Sequence, residues 1–322
     1  VRAWRVHTNG EPREVMRLEE IPDPEPEAGQ LLVRVRAADI NYPDALLCRG
    51  EYQVRPPLPF TPGVELCGEI LGGPRAGERV LGQPVLPGGA LGELAVIAEE
   101  SARTAPAGLD DAEAAALHIA YQTGWFGLHR RARLQQGETL LVHAAAGGVG
   151  SAAVQLGKAA GARVLGVVGG AAKAEVARAL GCDLVVDRRA DDVVTAVKEA
   201  TGGKGADVVY DPVGGDAYAA SAKCVAFEGR IVVVGFASGA VPTPGLNHAL
   251  VKNYSILGLH WGLYAQRDPA SVDHCHTELT RLAGEGLIKP LVSERVGLEG
   301  AADAVQRVFD GVTTGRVVVQ PA

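Results

Sequence analysis

Polar and apolar positions change rhythm twice along this chain. Up to about residue 120 few stretches repeat at helical spacing. Short apolar runs such as 31–37 and 94–98 lie between turns rich in proline and glycine, Pro22-Asp-Pro-Glu-Pro26 and Pro56-Pro-Leu-Pro59 among them. That texture predicts a β-rich, irregular region. Near Asp111 it changes: Asp110-Asp-Ala-Glu-Ala-Ala-Ala-Leu reads as a capped helix start with acids in the first turn.

From Glu138 onward compact apolar runs alternate with amphipathic ones. Strands are expected at 138–143, 162–168, 184–187, 206–211, 229–235 and 254–259, with helices at 149–160, 171–180 and 191–200 between the first four. Strands joined by crossover helices imply a doubly wound parallel sheet of the Rossmann type, an α/β fold. The tail changes again, with helical stretches at 269–285 and 299–310 and a last strand at 316–320. The simplest partition makes 1–120 with 260–322 one domain and 121–259 the other, with the cleft between them as the expected site.

The most informative segment is the junction of the first strand and helix of the alternating region. The run ending at His143 is broken by Ala144-Ala-Ala146-Gly147-Gly148-Val149-Gly150, and a helix follows. Strand, glycine turn and helix within a βαβ unit make a dinucleotide-binding turn. Gly147 lets the backbone approach a pyrophosphate, Gly150 lets the helix pack close to the strand, and the helix N-terminus holds the phosphates. Ala145 stands where the first glycine of the usual pattern would be.

The end of the second strand indicates which dinucleotide is bound. An enzyme using NAD usually has Asp or Glu there to hold the ribose 2′-OH. Here the place is taken by Val168-Gly169-Gly170, and no acid occurs before Glu175. Nearby lie Lys173, Arg188 and Arg189, bases suited to a 2′-phosphate, so NADPH is the expected cofactor.

The 322 residues, 47% of them hydrophobic, suffice for two cored domains. A net charge of −7 gives no electrostatic reason to expect nucleic acid or an anionic membrane as partner. No apolar run reaches spanning length, and Val1-Arg-Ala-Trp-Arg lacks the apolar core of a signal peptide, so a cytoplasmic location is expected. Five scattered cysteines without a C-x-x-C indicate neither a disulfide framework nor a zinc knuckle. Cys275 lies between His274 and His276, but adjacent helical residues diverge and do not converge on a metal.

Further motifs carry a resemblance over nearly the whole chain. Asp39-Ile-Asn41-Tyr-Pro-Asp44, Arg49-Gly-Glu-Tyr52, Pro59-Phe-Thr-Pro-Gly63-Val-Glu65, the block from His143 to Gly150, Tyr210-Asp-Pro-Val-Gly-Gly215 and Thr314-Gly-Arg-Val-Val-Val are similar to the medium-chain dehydrogenase/reductase superfamily. Within it the chain resembles the zinc-independent NADPH:quinone oxidoreductase (zeta-crystallin-like) branch. The resemblance implies a GroES-like substrate domain beside the Rossmann domain, and a homodimer paired through the edge strand 254–259.

It also implies site residues. Asn41 and Tyr52 match positions near the nicotinamide, Asn41 to donate to a reduced oxygen or hold the carboxamide, Tyr52 to supply a hydrogen bond or proton. Thr123 matches a threonine beside the nicotinamide. Lys173 and Arg188 match the positions around the 2′-phosphate, with Gly169 at the turn beside them. Phe236 and Ser238 follow the fifth strand at the sheet's carboxyl edge, and Trp261 and Tyr264 follow the sixth, either as an aromatic wall or as packing.

The zinc ligands of the superfamily's alcohol dehydrogenases are replaced by Asn41, Tyr42 and Val64, and Glu65 alone cannot hold the ion, so no metal is expected. Without a Lewis acid the acceptor should be electron-poor: a quinone, or an activated alkene such as an enone or enoyl thioester. A non-catalytic RNA-binding or structural role is the remaining alternative, disfavoured by the acidic charge and the intact turn.

Overall fold

A computed structural model describes residues 1–321, which fall into two compact units, Val1–Ile119 with the chain from Pro290 onward, and Ala120–Lys289. The first is the β-rich one. Its main sheet runs in the order Val292–Gly297, Arg316–Gln320, Gln30–Asp39, Leu66–Ile70, Arg79–Gly82, Arg103–Thr104, and Leu94–Ala98 also pairs with Gln30–Asp39. Pairing is antiparallel except between the first two strands. Gln30–Asp39 shows why the sheet has a core side: Leu31, Val33, Val35 and Ala37 are buried, while Arg34 and Arg36 between them are exposed. Leu31, Val33 and Val35 pack with Phe60, Leu66, Ile97 and Val317.

Ala120–Lys289 holds a six-stranded sheet in the order Leu184–Asp187, Arg163–Val168, Thr139–His143, Ala206–Asp211, Val225–Val233, Ser255–Gly258, parallel throughout. Every residue of Thr139–His143 is buried, as expected of a central strand covered on both faces. The chain order reverses between Thr139–His143 and Ala206–Asp211, and such a reversal opens a crevice at the strands' carboxyl ends.

Strand positions follow the sequence pattern closely, with two differences. Val225–Val233 starts four positions before the expected 229, because Glu228 adopts φ 56° beside Gly229 and the strand passes through a kink that reads as a turn. The helices Gly215–Cys224 and Leu246–Lys252 were not legible, since the first opens on two glycines and the second is short.

The chain returns to the β-rich unit at Pro290, later than the expected 260. Residues 260–289 stay with the parallel sheet for specific reasons. The Trp261 indole donates to Gln122 Oε1 (3.0 Å), and Tyr264 stacks on Phe126 with ring centres 4.2 Å apart. Gln155 pairs in both directions with the backbone of Lys289, at 2.6 and 2.9 Å. Among the described residues no helix is long and apolar enough to cross a membrane.

Candidate functional site

The turn after Thr139–His143 leads into the helix Gly148–Ala159, which has Gly147 as its N-cap. Ala144 adopts φ 51°, and Gly147 N–H closes the turn onto Ala144 O at 2.8 Å. A Cβ on Gly150 would lie 2.0 Å from that same oxygen, so only glycine fits where the helix meets the turn. Ala145 is fully buried, and the neighbouring strand makes room for it: a Cβ on Gly166 would come within 2.9 Å of the Ala145 methyl. The lost first glycine is thus matched by a glycine across the sheet. Gly147, Gly148 and Val149 remain partly exposed, and the first N–H groups of the helix have no acceptor within it. An anionic group meets both free donors and the positive helix end here.

Basic residues gather beside the next strand end. Arg188 Nη2 lies 3.2 Å from where a Cβ on Gly169 would be, and Arg189 Nη1 lies 3.1 Å from the same point on Gly170. Lys173, in the helix Ala171–Ala179, has its pKa lowered by burial first, then by Arg189 and Arg188. Three cations converge on one turn and repel each other. One acid there was not foreseen: Asp187 Oδ1 accepts Gly170 N–H at 2.8 Å and Arg189 N–H at 3.0 Å. It ends the third strand, so a search for an acid at the end of the second passes over it.

Thr123 lies buried in the helix His118–Trp125. At the carboxyl end of Ala206–Asp211, Asp211 Oδ1 accepts Val213 N–H (2.8 Å) and Gly214 N–H (3.0 Å), shaping the turn into Gly215–Cys224. Ser238 Oγ donates to Val213 O at 2.7 Å, and Phe236, 39% exposed, lies over Gly214. The structure therefore brings Phe236 and Ser238 onto this second turn. Trp261 is buried and bonds Gln122, while Tyr264 stacks on Phe126 and is partly exposed. His143 Nε2 meets Ser221 Oγ at 2.7 Å, but Ser221 is fully buried and donates to Ala217 O, so the pair ties strand to helix and offers no nucleophile.

The β-rich unit contains a different cluster. Asn41 caps the helix Tyr42–Arg49, and its backbone N–H donates to Asp44 Oδ2 at 2.8 Å. Its amide nitrogen donates to Glu65 Oε1 (2.5 Å) and Asp39 O (3.3 Å), and its amide oxygen accepts from Arg316 Nη2 (2.7 Å). Both amide hydrogens and the amide oxygen have partners within the fold, and Asn41 is 4% exposed. Arg316 forks onto Asp39 and reaches Glu65, and Glu65 Oε2 accepts Ile119 N–H at 2.7 Å.

Burial raises the Asp39 and Glu65 pKa values, Glu65 well above the ordinary range. Asp44 is pushed up to about 7 by burial, although N–H bonds from Asn41 and Gly63 favour its charge. Tyr52 is half-buried against the unit's core. Burial and then Asp44 raise its phenol, and its hydroxyl has no hydrogen-bond partner among the described residues. Arg316, far along the chain from Asn41, was missed as part of this cluster.

Comparison with known proteins agrees with this architecture. A family model described as an alcohol dehydrogenase GroES-like domain matches residues 27–107, and one described as a zinc-binding dehydrogenase matches 148–275. The quinone oxidoreductase-like protein 2 homolog of Nematostella vectensis is 37% identical over 90% of this chain and 81% of its own length. The chain belongs to the quinone oxidoreductase family of medium-chain dehydrogenases/reductases. Among structures of that family, the Escherichia coli quinone oxidoreductase complexed with NADPH superposes with a TM-score of 0.92 at 31% identity, covering 100% of both chains. The CurK enoyl reductase shares the fold, with a TM-score of 0.88 at 24% identity over 99% of this chain and 98% of its own.

One matching model describes zinc binding, and the donors present do not fit zinc. Asn41, Tyr42 and Val64 offer no thiolate or imidazole. Glu65 is the one carboxylate among the positions that match the zinc ligands, and its two oxygens already serve Asn41, Arg316 and Ile119. The guanidinium of Arg316 supplies the positive charge within this cluster of the quinone oxidoreductase family member.

Proposed function

We propose that the chain transfers hydride from NADPH to a quinone without a metal. The observation that carries this reading is the turn of Ala120–Lys289. Gly150 admits no side chain there, helix N–H groups are open to a pyrophosphate, and Lys173, Arg188 and Arg189 converge on the neighbouring turn. That donor set fits a dinucleotide carrying a 2′-phosphate, and the related E. coli enzyme is a complex with NADPH.

NADPH supplies the hydride, two electrons with one proton, and the quinone takes it together with one further proton to become hydroquinone, leaving NADP⁺. The protein's part is to bind, orient and hold the acceptor. Thr123, Phe236 and Ser238 are the proposed nicotinamide neighbours. Tyr52 is the proposed donor to the acceptor, because its hydroxyl has no hydrogen-bond partner among the described residues and a phenol is protonated at neutral pH. Asn41 is proposed to act chiefly by shape: its amide is committed to Glu65 and Arg316, so it fixes the start of the helix Tyr42–Arg49.

Activated alkenes are the second reading, and the Tyr52 hydroxyl, without a hydrogen-bond partner among the described residues, gives it support. An enone or enoyl thioester must be protonated at carbon, and a phenol that stays protonated is a suitable donor. Turnover with 1,4-benzoquinone, 9,10-phenanthrenequinone, an enone and crotonyl thioester, using NADPH and an added chelator, tests both. Quinone turnover unaffected by the chelator is expected. Reduction of the alkenes alone would replace the first reading with the second.

A homodimer is proposed with it. Ser255–Gly258 ends the parallel sheet with its outer edge unpaired among the described residues. In the preceding helix Leu246 and Leu250 are each 76% exposed and Val251 74%. An open strand edge beside exposed aliphatic residues favours pairing with a second copy. A monomer mass by light scattering at micromolar concentration would exclude it.

A further inference from the structure

Asp187 is an acid at the place where the cofactor reading needs bases, and its contacts give it a use. Its Oδ1 receives two backbone N–H groups, Gly170 at 2.8 Å from the end of one strand and Arg189 at 3.0 Å from its own loop. The loop is further tied by Arg188 N–H to Val168 O at 3.0 Å, by Ala190 N–H to Asp187 O at 2.9 Å, and by Asp191 N–H to the same oxygen at 2.8 Å. Asp191 returns a carboxylate oxygen to Asp187 N–H at 3.3 Å. One carboxylate oxygen thus bridges the two strand ends that carry Gly169, Gly170, Arg188 and Arg189. Lys173, Arg188, Arg189 and Asp191 are the charged groups around it.

Two guanidinium groups lie over two glycines at 3.2 and 3.1 Å from where side chains would begin. Long arginine side chains hold such places more readily if the backbone that carries them is fixed, because ordering each one costs rotamer freedom. We propose that Asp187 is a positioning residue for cofactor discrimination, pinning the arginine loop over the Gly169-Gly170 turn so that Arg188 and Arg189 are pre-set for the 2′-phosphate. This rests on the NADPH reading above. It separates two effects of one side chain: the oxygen that ties the loop favours phosphate binding, while its charge, close to the same phosphate, opposes it.

The two effects predict opposite outcomes for two variants, read as Kd for NADPH and NADH by fluorescence titration at low and high salt. Asp187→Asn keeps an oxygen for both N–H groups and removes the charge. It should bind NADPH about two- to threefold more tightly at low salt, with the gain fading at high salt and NADH unchanged. Asp187→Ala removes the tie and should weaken NADPH about tenfold while leaving NADH within about twofold. Equal affinity of the unaltered protein for the two cofactors would overturn the NADPH reading and this inference with it. If the unaltered protein prefers NADPH, either of two results overturns the role of Asp187 alone. One is that both variants match it. The other is that Asp187→Asn weakens NADH, which would mean the carboxylate holds the ribose hydroxyl instead.

Discussion

The glycine turn of Ala120–Lys289 and the Asn41 cluster of the β-rich unit are both built from polar and charged groups, but they settle their interactions differently. Around Asn41 each amide atom has a partner, Arg316 is shared by Asp39, Asn41 and Glu65, and the side chains are almost wholly buried. At the turn, backbone donors at the helix end are partly exposed and three cations repel each other. Only Asp39 Oδ1 in this cluster is buried without a hydrogen-bond partner among the described residues, so little of it is left for a ligand. A network with donors and charge left over is less favourable alone and becomes satisfied when an anion arrives. In the same protein the first arrangement indicates structure and the second binding.

The largest effect should come from opening the closed network. Arg316→Met leaves Asp39 and Glu65 buried without their cation and should cost about 3–5 kcal/mol of stability in urea unfolding. NADPH affinity of the folded fraction should hardly change; a variant with normal stability and lost binding would reverse the contrast. Gly150→Val attacks the other region, where even a Cβ meets Ala144 O at 2.0 Å. NADPH should bind about 100-fold more weakly while circular dichroism still reports a folded chain. Global unfolding would mean that this turn, too, is chiefly structural.

Much of this contrast could be read from the sequence on one side only. The glycine turn is local: strand, Ala145, Gly147, Gly150 and helix fall within a score of residues, and the parallel strands around it follow from apolar runs. Lys173 and Arg188 could be placed because the family resemblance marks the two positions around the 2′-phosphate. The closed network could not be found this way. Its members Asp39, Glu65 and Arg316 come together only through the pairing of Gln30–Asp39 with Leu66–Ile70 and Arg316–Gln320. Asp187 was missed for a related reason, since it acts on the end of a strand that is not its own.

A smaller effect sharpens the contrast through pH. Asp44 has a folded pKa of about 7, raised from 3.8 by burial. Between those values the folded chain keeps a proton that the unfolded chain has released. The associated stability is therefore complete below the unfolded value and is lost as pH rises through 7. The loss should be about 1 kcal/mol per pH unit between pH 5 and 7, and Asp44→Asn should flatten it. An unchanged slope in the variant would place the titration elsewhere in the cluster. Smallest of all, Tyr52→Phe should lower quinone kcat/KM by no more than about threefold, because reduced quinone oxygens exchange protons with water. A much larger loss would give Tyr52 an obligatory part, and with it a polar contact to the acceptor that the rest of its unit does not offer.

The close approach of Ala145 and Gly166 ties the turn to the strand beside it. The Ala145 methyl occupies the space that a side chain on Gly166 would need. Substitution at 166 asks more than one change: a side chain on Gly166 would meet Cys182 Sγ at 2.7 Å as well as the Ala145 methyl at 2.9 Å. Restoring glycine at 145 therefore opens a small void, and filling it from strand Arg163–Val168 also requires a smaller residue at 182. The three positions form one steric unit, and a fingerprint read one position at a time reports only the member on the turn.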